Sequence, residues 1–258
     1  MKKVKFFIRK LITQTPIQYF PVTVQKGLAK GARWTLFPNS SLWRSHADLE
    51  VEAAIRQYGS FPGATCWEVG AHFGIYTFSM AIGAGRHGHI YGFEPDPIAF
   101  KRCQLHMQMN ALHWVKIFNV AASNGEEPLN LILENGGGTG ESRIASENDI
   151  SEQKHVTVTQ VSAVRLDNLL DQGQIRAPQF IKIDVEGHGA KVLLGAQEAI
   201  KKYRPVILIV FHGPSELEET KQLLQPLGYR SFTCQGSEIS WEASLWRNTI
   251  LRCATQNV

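Results

Sequence analysis

An acid and two glycines stand at a fixed spacing in the segment CWEVGAHFG, as Glu68, Gly70 and Gly74. The glycines follow an apolar run and precede the helix-like segment FGIYTFSMAIGAG, which indicates a turn from a strand into a helix. Glycine has no β-carbon, so a ligand can approach the backbone at the N-terminus of the helix. The pattern predicts a ligand-binding turn, although a tight strand-to-helix turn without a ligand would need the same residues.

A second acid, Glu94, ends the apolar segment HIYGF one strand and one helix later. A carboxylate at the end of a second parallel strand can accept hydrogen bonds from both hydroxyls of a ribose, which favours a nucleoside cofactor over a solvated strand end. The dinucleotide pattern G-x-G-x-x-G does not fit, because His72 and Ile75 stand at its second and third glycine positions. Glu68 would repel a pyrophosphate and attract an ammonium group. S-adenosylmethionine has an ammonium group, a sulfonium and a ribose without phosphate, so it is the predicted cofactor, and an NAD-dependent oxidoreductase is disfavoured.

Acids and histidines follow two later apolar segments. Asp184 and Glu186 end FIKIDVE, and His212 ends VILIVFH. A methyl donor requires an acceptor atom held in line with it and, where that atom carries a proton, a base to remove the proton, so these three residues are predicted to be catalytic. His188 is a further candidate base. The alternative is that Glu186 caps a helix and His212 merely ends a strand.

The same acids and histidines could converge as mixed nitrogen and oxygen ligands of a metal ion. No close metal-binding spacing such as H-E-x-x-H is present in the sequence, so no metal is predicted.

Strand-like and helix-like segments alternate from about residue 53 onward. Short apolar runs separated by helical patterns are typical of a parallel sheet with helices on both faces and right-handed crossovers. LNLILE and HVTVTQVSAV alternate apolar and polar residues around a long polar segment, which predicts an inserted β-hairpin with a long, mobile polar tip. The tip either closes over a substrate or extends into solvent, and solvent is the favoured alternative. YRSFTC and TILRCA predict antiparallel strands at the sheet edge. Trp241 and Trp246, which lie between them, could face a sugar ring but are more often packing residues.

Together these motifs resemble the FkbM family of S-adenosylmethionine-dependent methyltransferases. The resemblance covers about residues 50 to 255 and rests on WEVGAHFGIYT, YGFEPDP, NVAAS, VRLDNLL and IKIDVEGHGAKVLLGA. It implies an α/β fold of the class I methyltransferase type, in which a Rossmann-like, mostly parallel seven-stranded sheet has helices on both faces and an inserted β-hairpin. It also implies O-methylation of a small acceptor, most plausibly a sugar, a glycan or a natural product.

The resemblance assigns the cofactor's methionine end, carboxylate, ribose and adenine to residues near the ends of the first three strands. The assigned residues are Glu68, Gly70 and Gly74 for the methionine end, Thr77 for the carboxylate, Glu94 for the ribose, and Val120 and Ala121 for the adenine. The chain has His72 where family members commonly have asparagine, and Gly189 where they commonly have an acid. A histidine can still donate a hydrogen bond, so cofactor binding is expected to persist. Gly189 leaves open an alternative, a non-catalytic protein that keeps the fold and binds a membrane surface or a partner.

Basic residues are unevenly distributed along the 258 residues. Residues 1–44 contain nine Lys or Arg and no acid, which leaves 18 of 27 basic residues against all 23 acids in the remainder. The predicted division is a basic N-terminal arm, residues 1–44, and a methyltransferase domain, residues 45–258. In the arm, MKKVKFFIRKLI combines an apolar stripe with lysines, which predicts contact with an anionic membrane surface or packing against the domain or a second subunit.

Four scattered cysteines have neither zinc-site nor C-x-x-C spacing, which predicts reduced thiols; they are Cys66, Cys103, Cys234 and Cys253. The sequence contains no run of about 18 apolar residues that would predict a transmembrane helix. The expectation is a cytoplasmic protein, peripheral to the inner face of a membrane if the arm binds lipid, that acts on a small-molecule or glycan acceptor and not on nucleic acid.

Overall fold

A computed structural model describes residues 19–36, 48–138, 140, 142–145 and 157–253. Strands and helices alternate along most of this range, as the apolar pattern predicts. The strands are β1 (Pro21–Thr23), β2 (Arg33–Thr35), β3 (Thr65–Val69), β4 (His89–Phe93), β5 (Val115–Phe118), β6 (Ala121–Ala122), β7 (Leu129–Leu133), β8 (Arg143–Ile144), β9 (Thr157–Val161), β10 (Ala163–Val164), β11 (Phe180–Ile183), β12 (Val206–Val210), β13 (Tyr229–Phe232), β14 (Glu238–Ile239) and β15 (Asn248–Cys253). The α-helices are α1 (Leu49–Ala54), α2 (Ile75–Ala84), α3 (Pro97–Met109), α4 (Leu166–Asp171), α5 (Gly189–Gly195), α6 (Gln197–Tyr203) and α7 (Pro214–Leu224).

Within the described residues, eight strands form the main sheet in the order β14-β13-β15-β12-β11-β3-β4-β5. Five neighbouring strands of this sheet are parallel, namely β5, β4, β3, β11 and β12. Strand β15 runs antiparallel to both β12 and β13. Strand order reverses at β3 and β11, so the carboxyl ends of these strands flank the crevice where ligands bind in open α/β sheets. The predicted count of seven omitted β14, an edge strand of two residues that is too short to give an alternating pattern.

The central strands are buried on both faces, which explains their continuous apolar runs. Every residue of β3 and of β11 is buried. Successive side chains of a strand point to opposite faces, so Cys66 and Phe180 pack in one hydrophobic cluster and Trp67 and Ile181 in the other. Helices therefore cover both faces of the sheet, as predicted.

Two elements differ in detail from the predicted pattern. The third strand ends at Phe118, and the AA segment after it pairs instead with β10 as a separate parallel pair. The helix expected at residues 190–202 is divided into α5 and α6 at Ala196. All four cysteines are buried free thiols, as expected for reduced cysteines.

The insert between β6 and β10 is a three-stranded antiparallel sheet in the order β8-β7-β9. The predicted hairpin corresponds to β7 and β9. Part of its connecting segment does not extend into solvent, because the backbone N–H of Gly138 donates to Asp96 at 2.6 Å and the hydroxyl of Ser142 donates to the same carboxylate at 3.0 Å. The prediction of a solvent-exposed tip is wrong for these residues, and residues 146–156 lie outside the described range.

The hairpin β1–β2 belongs to the predicted arm but packs against α3. Trp34 is 2% exposed, and its ring stacks on His106 with the ring centroids 3.6 Å apart. The backbone N–H of Arg33 donates to the side chain of Asn110 at 2.8 Å. This part of the arm is therefore joined to the core of the domain. The segment MKKVKFFIRKLI lies outside the described residues, so both interpretations of it and the boundary at residue 44 stay predictions. Among the helices that the structure describes, none is both long enough and apolar enough to cross a membrane.

Candidate active site

A cavity of about 190 Å³ lies at the carboxyl ends of β3, β4 and β11. The insert and the β6 strand complete its wall. The predicted site residues that line the cavity are Gly70, Glu94, Ala121, Asp184 and Glu186. The predicted site residues that lie outside its lining are Glu68, Gly74, Thr77, Val120 and His212. The predicted residues are thus brought together at one edge of the sheet, but only half of them border the cavity.

The absence of a β-carbon at Gly70 and at Gly74 makes room for other atoms of the protein. Gly70 has a φ of 82°, and a β-carbon there would overlap the backbone carbonyl oxygen of Asp184. Gly74 has a φ of 84°, and a β-carbon there would lie 2.6 Å from the sulfur of Cys103 on α3. The spaces that the sequence interpretation reserved for a ligand are therefore filled by Asp184, which follows β11, and by Cys103 on α3. Of the two glycines, only Gly70 also lines the cavity.

Glu94 directly follows β4 and is buried beside the cavity. Its Oε2 accepts a hydrogen bond from the backbone N–H of His72 at 2.7 Å, and its Oε1 accepts one from the N–H of Asp96 at 2.8 Å. Each carboxylate oxygen has a second acceptor position, so the group can still accept two bonds from a ligand. Burial raises the pKa of Glu94 to about 7, although the two N–H groups oppose the shift. This geometry fits a ligand with two adjacent hydroxyls, such as a ribose.

Asp96 connects the insert to the edge of the cavity, and its importance was missed in the sequence. Its Oδ1 accepts from the N–H of Ile98 at 2.8 Å and so caps α3, while its Oδ2 holds Gly138 and Ser142. His72 makes a second contact with the insert, because its Nε2 lies 3.4 Å from the carbonyl oxygen of Gly138. Burial lowers the pKa of His72 to about 4, so this imidazole is neutral near pH 7. The insert therefore forms a fixed wall of the cavity at these residues. In the sequence, the signal for the role of Asp96 is its position before the last proline of YGFEPDP, which is typical of a helix N-cap.

Glu68 lies behind the cavity wall and is fully buried. The hydroxyl of Thr77 donates to its Oε2, so Thr77 orients Glu68 from the side away from the cavity. Its Oε1 has no hydrogen-bond donor among the described residues, but the ammonium of Lys182 lies 3.8 Å away. Burial raises the pKa of Glu68 to about 7, and Lys182 and Thr77 only partly offset that effect. The carboxylate expected to attract a cofactor ammonium thus already faces a lysine ammonium.

His212 lies between two carboxylates at the ends of β11 and β12. Its Nε2 is 3.3 Å from Oδ1 of Asp184, and its Nδ1 is 3.3 Å from Oε2 of Glu186. The hydrogen bond to Asp184 raises the pKa of His212, and Glu186 adds to the shift against the effect of burial. Burial alone would raise the pKa of Asp184, but Lys182 and His212 outweigh it and lower that pKa to about 2. Glu186 adopts a left-handed backbone with a φ of 48°, a strained conformation of the kind that concentrates at functional sites.

His188, the further candidate base, is in a different environment. It lines the cavity, and its Nε2 lies 2.9 Å from the hydroxyl oxygen of Ser123. Burial, with a contribution from Lys191, lowers the pKa of His188 to about 4. It is therefore a weaker base than His212.

Asp184, Glu186 and His212 could also hold a cation. Each offers one ligand atom, and these three atoms lie within 4.8 Å of one another. Carboxylate oxygen and imidazole nitrogen suit several divalent metals. The two carboxylates are also the hydrogen-bond and ion-pair neighbours of the His212 ring. The expectation that the site contains no metal stays a prediction.

Glu216, on α7, explains why residue 189 is a glycine. Its Oε1 accepts from the N–H of Gly189 at 2.6 Å, and its Oε2 accepts from the N–H of His212 at 2.8 Å. A β-carbon at residue 189 would lie 2.6 Å from that Oε1 and 3.0 Å from Ile209. A buried carboxylate thus occupies the space beside residue 189 and fixes the backbone of the proposed base. No sequence pattern indicates this role, because Glu216 lies in an ordinary amphipathic helix.

The strand order, the glycine turn after the first central strand and the buried acid after the second define a class I methyltransferase. The sequence profile described as "Methyltransferase FkbM domain" matches residues 68–231. The chain belongs to the FkbM methyltransferase family, whose methyl donor is S-adenosylmethionine.

The individual proteins that the chain resembles have low sequence identity to it. The hexuronic acid methyltransferase AglP of Haloferax volcanii is 26% identical over 199 residues, which cover 74% of this chain and 75% of that protein. The crystal structure of methyltransferase FkbM from Methylobacillus flagellatus KT is 19% identical with a TM-score of 0.49, and the match covers 74% of this chain but only 44% of that one. The structure of an S-adenosylmethionine-dependent O-methyltransferase from Thermotoga maritima is 11% identical with a TM-score of 0.45, over 83% of this chain and 69% of that one.

Proposed function

We propose that this methyltransferase transfers a methyl group from S-adenosylmethionine to a hydroxyl of a small acceptor, namely a sugar, a glycan or a sugar-containing natural product. The observation that carries the proposal is the placement of His212 between Asp184 and Glu186, both of which line the cavity. The name of the relative from Haloferax volcanii, a hexuronic acid methyltransferase, supports a sugar acceptor.

The residues that line the cavity fit the proposed cofactor. When bound, S-adenosylmethionine supplies an electrophilic methyl group on a sulfonium. In this proposal Glu94 accepts from both ribose hydroxyls, Ala121 lies beside the adenine, and Gly70 borders the methionine end. Glu68, Gly74, Thr77 and Val120 support that set from behind the wall. The buried Oε1 of Glu68, which has no hydrogen-bond donor among the described residues, faces the ammonium of Lys182 at 3.8 Å, and Lys182 in turn lines the cavity.

His212 is proposed to take up the proton of the acceptor hydroxyl by way of the Glu186 carboxylate, because Glu186 lines the cavity and lies 3.3 Å from Nδ1 of His212, whereas His212 itself does not line it. A neutral imidazole donates through only one nitrogen, so it cannot donate to Asp184 and Glu186 at once. The other nitrogen is then free to accept a proton, and the two carboxylates stabilise the imidazolium that forms. Asp184 remains a carboxylate because of its low pKa, so it orients the imidazole and holds the positive charge in place.

A non-catalytic role in binding a membrane or a partner is disfavoured by family membership and by the intact group around His212. The alternative depended on Gly189 standing where family members commonly have an acid. Glu216 explains this glycine, because its carboxylate occupies the space beside residue 189 and accepts from its N–H. The proposal places the enzyme in a reducing cytoplasm, which the buried free thiols support.

Transfer of labelled methyl groups tests the proposal. The full chain, labelled S-adenosylmethionine and a panel of hexuronic acids, neutral hexoses and their glycosides would be incubated, and products identified by mass spectrometry. Methyl ethers on a sugar acceptor are the expected products. Labelled methyl esters, or transfer only to acceptors without a sugar, would contradict the proposed chemistry.

Glu94→Ala is expected to weaken binding of S-adenosylmethionine by about tenfold to a hundredfold, because two hydrogen bonds to a charged acceptor are lost. Calorimetric titration of folded protein measures the effect. Glu238→Ala provides a matched control, since Glu238 lies on the edge strand β14 in a half-exposed pair with Arg230. Equal affinity of the Glu94 variant and the control would rule out the ribose assignment.

A further inference from the structure

We propose that Lys182 binds the carboxylate of the cofactor's amino-acid end, and that Glu68 acts as the buried counter-ion of Lys182. This inference rests on the proposed function, because it assigns one contact within the same cofactor site. It differs from the sequence interpretation, in which Glu68 itself faces the ligand.

Lys182 stands between Glu68 and the cavity. Glu68 and Lys182 are cross-strand partners in the parallel pairing of β3 with β11, so their side chains lie on the same face of the sheet. Lys182 lines the cavity, whereas Glu68 does not. The Lys182 ammonium lies 3.8 Å from Glu68, 3.6 Å from Asp184 and 5.0 Å from the ring centroid of Tyr76. A ligand in the cavity therefore meets the lysine before it meets Glu68.

The charges around the cavity favour this position for an anion. The described acids that line it are Glu94, Asp96, Asp184 and Glu186. The described lysine and arginine that line it are Lys182 and Arg143. His72 and His188 are neutral near pH 7, because burial lowers the pKa of each to about 4. A carboxylate placed in this pocket without a cation would be strongly unfavourable, so it must lie near one of the two basic side chains.

Lys182 is the better placed of the two. Arg143 directly follows Ser142, whose hydroxyl donates to Asp96, and the N–H of Asp96 donates to Glu94. Arg143 is therefore assigned to the end of the cavity where the proposed ribose contact lies. Lys182 lies at the opposite end, beside Tyr76 in the first turn of α2. The N-terminus of this ten-residue helix adds a partial positive charge at the same end.

Glu68 has the properties of a counter-ion. A lysine that is 2% exposed needs compensating negative charge, and Glu68, fully buried on the neighbouring strand, supplies it together with the partly exposed Asp184. Thr77 fixes the carboxylate from the other side, so Glu68 is held in place whether or not a ligand is present. The pair thus keeps an ammonium group at the cavity wall.

Calorimetric titration with ligand pairs tests the inference without measuring activity. S-adenosylhomocysteine, its decarboxylated analogue and its deaminated analogue would be titrated into the full chain. The wild-type protein should bind S-adenosylhomocysteine about tenfold to a hundredfold more tightly than the decarboxylated analogue. In Lys182→Met this preference should fall to within about threefold, while affinity for the decarboxylated analogue stays within about threefold of wild type. Lys182→Arg should restore most of the preference, because it restores the cation.

Control variants separate the competing explanations. Lys191→Met is matched in chemistry but lies on the surface in a pair with Glu219, so it should leave the preference unchanged. If Lys182→Met folds poorly, the double variant Lys182→Met with Glu68→Gln removes both buried charges and should lose the preference in the same way. Retention of the preference in the Lys182 variants, or its loss in Arg143→Met instead, would overturn the inference.

The rival assignment gives a different pattern. If Glu68 binds the cofactor ammonium directly, Glu68→Gln should selectively lose discrimination against the deaminated analogue, and that result would also overturn the inference. Absence of any S-adenosylhomocysteine binding to the wild-type protein would contradict the proposed function itself. Binding with an unaltered preference in Lys182→Met would contradict only the role of Lys182.

Discussion

Replacing His212 by asparagine is expected to lower the rate of methyl transfer by about a thousandfold, within the range that a general base contributes. Asparagine can still donate to Asp184 but cannot take up a proton, so the active-site geometry survives while the base is lost. Single-turnover product formation at saturating cofactor measures the effect, and cofactor affinity should stay within about threefold of wild type. His89→Asn is a matched control, because His89 lies at the amino end of β4, away from the cavity.

The dependence of rate on pH gives a second measure of the same assignment. A base must lose its own proton before it can act, so the rate should rise as pH increases through the pKa of His212. That pKa lies above the ordinary histidine value, because the hydrogen bond to Asp184 raises it. Asp184→Asn removes this largest cause and should move the rise to lower pH. Full activity of His212→Asn with loss in His188→Asn would instead assign the base to His188.

Replacing Gly70 by alanine is expected to destabilise the fold by about 3 kcal/mol, through the combined cost of a left-handed backbone and a steric overlap. The new β-carbon would overlap the carbonyl oxygen of Asp184, and neither group is on a flexible side chain. The free energy of unfolding from denaturant titration measures the change.

Gly63→Ala separates the two contributions. Gly63 has a similar φ of 79°, but a β-carbon there would have no atom within 4 Å. It should therefore cost only about 1 kcal/mol, from backbone strain alone. Equal destabilisation by the two substitutions would show that the contact between the turn and β11 relaxes freely.

The sequence predicted the elements of the sheet well, because burial on both faces leaves continuous apolar runs in the central strands. It also identified the glycine turn and Glu94, since both follow a strand and have residue types that the position demands. It could not show what fills the space beside each glycine. That space is set by Asp184 and Cys103, which are far away in the chain.

Residues that act through long-range contacts were missed for the same physical reason. Glu216 has the sequence context of a helix surface, yet it is buried and bonds two backbone N–H groups near the proposed base. Asp96 is readable as a helix cap, but its bonds to the insert span more than 40 residues. In the sequence, Lys182 is one polar residue in an apolar strand, and only the register with β3 places it against Glu68.

The close contact between the turn at Gly70 and the carbonyl of Asp184 also bears on how the acceptor preference could be engineered. The cofactor turn and the segment that carries the proposed catalytic acids share this contact, so a change of shape in one is transmitted to the other. Directed evolution toward a new acceptor should therefore leave both segments untouched. Diversity is better introduced at Trp246, whose side chain is 66% exposed and whose backbone N–H donates to the carbonyl oxygen of Phe211, the residue before His212. Libraries built there would change an exposed side chain near the base while the backbone contact beside His212 is kept.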